Sequence, residues 1–222
     1  ESNYFTFEEY KAKIEALQTD KNKKLVYLYA NNTDEQYSYI KAAKDKGYDV
    51  LLMDGILDNH FIQTLEHKFT DVKFARIDSD TIEKLIEKDE VIPSKLSEEE
   101  TNKLKTLVEA IVDKTKFTVQ TESLEQTAYP FSITQNEFMR RMKEMAEMGG
   151  GGMASFYGDM PEHYNLVVNV NHPIMTQILE EKDANKQSQT LSQLKDLALL
   201  SQGLLKGEAL DNFISRSVEI IK

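Results

Sequence analysis

Four histidines, His60, His67, His163 and His172, are the side chains best suited to metal binding or proton transfer in this chain of 222 residues. His60 and His67 fall about two turns apart on one expected helix, without the His-Glu-x-x-His pattern that sets two imidazoles and a general base around zinc. The chain has no cysteine, which removes thiolate ligands, thiol nucleophiles and disulfides together and fits a reducing compartment. Asp54-Gly55 follows an apolar run and could mimic an acidic catalytic loop, yet the pair is a common turn and no second carboxylate stands ready to assist it. The run Gly149 to Gly152 lacks the Gly-Lys-Ser/Thr ending and the preceding strand of a phosphate-binding loop, so it reads as a helix stop and hinge. A serine nucleophile elbow is missing too. These residue types therefore assign no catalytic group, no metal ligand and no cofactor site.

A softer chemistry is concentrated between Met139 and Met160, which hold six of the eight methionines. Phe138, Met142 and Met145 recur at i, i+4 and i+7, Met139 and Ala146 widen the stripe, and Arg140, Arg141, Lys143, Glu144 and Glu147 take the other side. Thr134-Gln135-Asn136-Glu137 predicts a capping box, with Ile133 and Phe138 as a hydrophobic staple, so an amphipathic helix is expected over 134–148. Beyond Met148 and the glycines, Met153, Phe156, Tyr157 and Met160 follow on a loop. Apolar stripes are more often core than surface. Here methionine replaces the branched residues that specify a rigid core, and the neighbouring glycines cannot form a lid of fixed shape. Such a face can remould itself around varied apolar partners.

A formal net charge of −11, with 29% charged and 40% hydrophobic residues, describes a folded acidic protein and disfavours nucleic acid and anionic membrane surfaces as partners. Apolar runs such as Leu197-Ala198-Leu199-Leu200 are far shorter than the roughly 20 residues that span a bilayer. The chain opens on Glu1 and reads as a fragment.

These side chains need elements to hold them. Thr6-Phe7-Glu8-Glu9 is a capping box opening a first helix, and apolar runs at 25–29, 50–53 and 72–77 alternate with helical stretches at 34–46, 58–67 and 81–87. That alternation predicts a small three-layer α/β unit over 1–88 with parallel strands covered on both faces. A polar stretch around Pro93 leads to a second domain, 97–222, of α+β character. It opens on the capping box Ser97-Glu98-Glu99-Glu100, continues through extended stretches at 116–121, 129–133 and 164–170, and restarts a helix at His172-Pro173.

The final third reads as a helical hairpin turning at Gly203 and Gly207. Leu191, Leu194, Leu197, Ala198 and Leu204 stripe one helix; Leu210, Phe213, Ile214, Val218 and Ile221 stripe the next. Such stripes either pack on their own domain or build a four-helix bundle with a second copy.

Several stretches carry a resemblance: Val50-Leu51-Leu52-Met53-Asp54 with Leu57-Asp58-Asn59-His60-Phe61 and Leu65, Phe131-Ser132-Ile133 before the methionine helix, and Asn169-Val170-Asn171-His172-Pro173-Ile174. Over essentially its whole length the chain resembles bacterial members of the heat-shock protein 90 chaperone family. The resemblance implies an ATP-driven, cytoplasmic, homodimeric stress chaperone. Residues 1–88 would be the distal α/β part of its middle domain and 97–222 its C-terminal dimerization domain. The family's nucleotide pocket lies in an N-terminal domain outside these residues. ATP and Mg are accordingly expected only for a full-length parent, and the fragment itself is expected to be no enzyme. By the same resemblance, Phe138, Met139, Met142 and Met145 would occupy the helix that faces unfolded or partly folded clients, and the terminal hairpins would pair into an intersubunit four-helix bundle; Met148, Met153 and Phe156 are expected on the same surface from their own apolar character. Two other readings stand beside it: an adaptor docking one dedicated helix on its methionines, and an enzyme with a site near Asp54.

Overall fold

The run Leu25-Val26-Tyr27-Leu28-Tyr29 lacks polar alternation, which is what a strand covered on both faces requires. In the computed structural model, which describes residues 4–55, 57–147 and 161–221 (backbone alone for residues 144, 145, 147, 220 and 221), it forms β1 (Leu25–Ala30), buried at every position. Parallel neighbours β2 (Val50–Leu52) and β3 (Val72–Arg76) flank it in the order β2-β1-β3, with Leu28 opposite Val50 and Tyr27 opposite Phe74. Successive strand side chains point to opposite faces. Leu25, Tyr27 and Tyr29 therefore meet Tyr10 and Ile14 of α1 (Phe7–Gln18) and Ile62 of α3 (Asp58–Lys68). On the other face Val26, Leu28 and Ala30 meet Ala43 of α2 (Tyr37–Asp45) and Leu85 of α4 (Ile82–Leu85). Stacked rings tie the first face together, Phe7 and Phe74 lying 5.4 and 4.8 Å from Tyr27. The capping box at Thr6 and Glu9 forms as the sequence predicts.

Ser97 and Glu100 form the second expected capping box, at the start of α5 (Glu98–Glu109). A three-stranded mixed sheet follows: β4 (Phe117–Glu122) runs parallel to β6 (Tyr164–Asn169), and β5 (Phe131–Thr134) runs antiparallel to it, in the order β4-β6-β5. Between β5 and β6 the chain makes α6 (Glu137–Glu147). After β6, His172 caps α7 (Pro173–Glu180) by accepting the Ile174 amide, with Pro173 in the first turn as expected. The helices α8 (Ala184–Ser201) and α9 (Gly207–Ile221) complete the chain. Leu104, Val108, Val119, Ile133, Leu166, Val168, Met175, Ile178 and Leu191 share one core. Two buried asparagines pin the chain around it. Asn171 accepts from the Lys95 amide and donates to the carbonyls of Pro93 and Leu124, while Asn169 accepts the amides of Leu124 and Asn171.

Packing divides the chain into one unit of residues 1–91 with 137–155 and another of 92–136 with 156–222. The chain first passes from one unit to the other after Val91. Helix α6, which chain order assigns to the second domain, packs with the first.

Candidate partner-binding surface

Helix α6 begins at Glu137, three residues later than its sequence suggests. Thr134, the expected cap, ends β5, is 1% exposed, and its hydroxyl accepts a hydrogen bond from Asn165 at 3.4 Å; Ile133, the expected staple residue, lies in the second unit's core. Strand pairing of Phe131–Thr134 with β6 outweighs the local capping preference, because it buries Phe131 and Ile133 along with the backbone.

Glu137 is thereby released for another task. Its Oε1 accepts hydrogen bonds from the Tyr29 hydroxyl (2.8 Å), Arg140 Nη2 (2.8 Å) and Arg141 Nε (2.6 Å). Arg140 also donates to the Tyr29 oxygen at 2.6 Å. Arg141 reaches further, to Glu66 Oε2 at 2.8 Å and to the Phe74 carbonyl at 3.1 Å, and Glu66 Oε1 accepts the Phe74 amide at 3.0 Å. The arginines, which the spacing puts on the side away from the methionine stripe, form the docked side of the helix, Arg140 at only 5% exposure. Positions three and four apart share a helix face, so Glu137, Arg140 and Arg141 present one charged surface to β1, α3 and β3.

Electrostatics follow from that enclosure. Burial pushes the Glu137 carboxyl up, but the charges of Arg140 and Arg141 and the hydrogen bonds from Arg140 and Tyr29 outweigh it and hold the pKa below the ordinary value. Burial, reinforced by the Glu137 charge, raises the Tyr29 phenol far above its usual range. For Arg141, burial works against the charge, and the bond to Glu66 with the charge of Glu137 more than restores it, leaving the pKa raised. The three groups are fixed as carboxylate, neutral phenol and guanidinium.

Beside the charged face the apolar stripe is partly exposed. Phe138 is 58% exposed, and Met139, Met142 and Ala146 are half-buried. Met145 lies in the helix with only its backbone described, and Met148, Met153, Phe156 and the Gly149–Gly152 run fall outside the described residues. What sequence reading missed was the anchor. Its signal is the Glu-x-x-Arg-Arg spacing at Glu137, together with a hydroxyl-bearing tyrosine at position 29 inside a fully buried strand.

The terminal hairpin divides its stripes. Leu191, Leu194 and Ala198 belong to the chain's own core, Phe213 is buried, and Leu204 and Leu210 are half-buried. Leu197, Ile214 and Val218 face outward at 47%, 51% and 50% exposure, joined by Leu200, which the sequence reading omitted. The backbone alone is described for Ile221. Arg216 of α9 donates to the buried Asp196 of α8, and Gln193 donates to Ser217 at 2.8 Å, so polar bonds set one helix against the other.

The groups weighed for chemistry stay apart. His60, His67 and His163 are exposed, His163 bonding Thr118 at 2.8 Å, while burial lowers the pKa of His172 at its helix cap. Asp54 is exposed, and the neighbouring Gly55 amide donates to the carboxylate of Asp58 at 2.9 Å, a turn closing onto α3. Among the described residues no cluster of His, Asp or Glu could hold a metal, and no helix is long and apolar enough to cross a membrane.

Comparison with known proteins agrees with the residues quoted above. The family model described as Hsp90 protein matches residues 1–221. The chaperone protein HtpG of Bacteroides thetaiotaomicron is 38% identical over 289 residues, covering 100% of this chain and 42% of that protein. HtpG of Bacteroides fragilis strain YCH46 is 38% identical over 291 residues with the same coverage. HtpG of Porphyromonas gingivalis strain ATCC 33277 is 37% identical over 284 residues, 98% of this chain and 41% of its own. The chain spans less than half the length of these relatives.

Proposed function

The chain belongs to the Hsp90 family, and on that premise we propose that it forms the part of a cytoplasmic chaperone that holds two protomers together and offers apolar surface to unfolded or partly folded clients. The observation that carries this reading is the docking of α6 by its charged face, with Phe138, the residue after Glu137, left at 58% exposure. A helix held in that way keeps its apolar stripe available without giving up its own fold. Methionine suits the task because its unbranched, polarizable side chain conforms to clients of different shape.

Homodimerization belongs to the same proposal. Leu197, Leu200, Ile214 and Val218 form the outward part of the terminal hairpin, and pairing two such hairpins would make a four-helix bundle. Two client stripes brought together this way gain avidity without sequence specificity. The full-length parent is proposed to be ATP-driven, with ATP and Mg bound in a domain outside this chain, and this part to do no chemistry of its own.

The test is suppression of aggregation of a thermally unfolded client. Phe138→Ser combined with Met142→Ser is expected to weaken suppression by about tenfold, the loss expected from removing two apolar anchors, with dimer mass unchanged in light scattering. Full suppression by that variant would remove the proposed client surface.

A further inference from the structure

Thioethers are the softest nucleophiles in this chain, because it contains no cysteine. Six of its eight methionines lie between Met139 and Met160, and the side chains of Met139 and Met142 are described among them. At about 100° per residue, Met139 and Met142 sit roughly 140–160° around the helix from Glu137. They lie away from the Glu137–Arg140–Arg141 anchor and are half-buried. Met175, by contrast, is 0% exposed in the second unit's core. The same chain therefore carries reactive thioethers and a shielded one of identical chemistry.

We propose that Met139 and Met142 are a reversible oxidation site through which a hydroperoxide switches off the apolar stripe of α6. This deepens the client-surface reading and rests on it. A lone pair of the thioether sulfur attacks the terminal oxygen of the hydroperoxide. The S–O bond forms, the O–O bond breaks, and the departing oxygen collects the hydroperoxide proton, leaving as water or alcohol. Sulfur is oxidised by two electrons and the peroxide is reduced by two. The sulfoxide places a strong, hydrated acceptor on the apolar stripe, where the apolar side chains of a client offer it no donor, so burial beneath them becomes unfavourable. A dithiol-dependent sulfoxide reductase returns the oxygen as water and is itself oxidised to a disulfide. The anchor is expected to survive the change, because the bonds that join Tyr29, Glu66, Glu137 and Arg141 run through the carboxylates, guanidinium and phenol of the docked face.

The experiment treats the whole chain with limiting hydrogen peroxide, measures oxygen incorporation at each methionine by mass spectrometry after cleavage at acidic residues, and assays aggregation suppression in parallel. Met139 and Met142 are expected to oxidise at least about tenfold faster than Met175, as their difference in access requires. Suppression is expected to fall about tenfold on oxidation, to return with a methionine sulfoxide reductase, and to fall less in Met139→Leu/Met142→Leu, measured against that variant's own untreated level. Equal oxidation of all three methionines, or a leucine variant that loses as much suppression as the parent, overturns the switch. An untreated chain that suppresses no aggregation overturns the client-surface reading and the switch with it, whereas a failure of the oxidation measurements alone leaves that reading intact.

Discussion

Tyr29 and Glu137 are 108 positions apart in the chain and 2.8 Å apart in the structure, the hydroxyl of a central strand donating to the first residue of the methionine-rich helix. Their bond lies at the centre of a buried network that also takes in Arg140, Arg141 and Glu66. Removing one member of such a network leaves the others enclosed without full compensation. Glu137→Ala is therefore expected to destabilise the first unit by about 3–5 kcal/mol, and Tyr29→Phe by about 1–2 kcal/mol, the cost of one lost bond to a charged group. The chain contains no tryptophan, so urea unfolding followed by circular dichroism is the suitable measurement. A Glu137→Ala chain as stable as the parent would show that the network contributes nothing to docking.

The same carboxylate makes docking sensitive to acid. Glu137 has a folded-state pKa below its ordinary value of 4.5, so folded protein binds the proton less readily than unfolded chain does. Its contribution is fully present above the ordinary carboxylate range and is lost as pH falls through the folded pKa. Urea midpoints measured from pH 7 downward are expected to fall more steeply for the parent than for Glu137→Gln, with the difference confined to acid. Parallel curves would refute the linkage.

The outward and inward apolar residues of the last two helices should respond differently. Ile214→Asp combined with Val218→Asp alters side chains at 51% and 50% exposure and is expected to convert a dimer to a folded monomer in light scattering. Leu191→Asp places a charge at a position only 1% exposed and is expected to cost more than about 3 kcal/mol, unfolding the second unit. A dimeric Ile214→Asp/Val218→Asp protein would exclude the outward stripe from the interface.

Asp196 is 6% exposed and takes its charge partner from the next helix, Arg216. Asp196→Ala is expected to destabilise the hairpin by about 3 kcal/mol and to weaken dimerization with no interface side chain altered. Sedimentation over a concentration series reads the second effect. An unchanged dissociation constant would separate the clasp from assembly.

Most elements were legible because their signals are local. Thr6 with Glu9 and Ser97 with Glu100 cap helices as their spacing requires, and the unbroken apolar run at Leu25 marks a strand covered on both faces. His172-Pro173 starts a helix for the same kind of reason. The turn after α8 follows suit: Gly203 takes φ 64°, and the amides of Gly203 and Leu204 close back on the carbonyls of Leu200 and Leu199 at 3.0 and 2.9 Å. Thr134 shows where local rules stop. Its capping signal is intact in sequence, yet a strand on the far side of the helix supplies a competing use for the same residue.

Composition and periodicity by themselves determined an acidic α/β chain with a methionine stripe and two striped terminal helices, since each of these depends on residue type and near-neighbour spacing. Only the tertiary structure decided which side of α6 is docked, because an amphipathic helix has two faces and a buried charged face is affordable where partners such as Tyr29 and Glu66 wait far away in the chain. It also decided which leucines of the hairpin serve the chain's own core and which face outward, because that division follows from packing against β5, α5 and α7, which no repeat along the helix records.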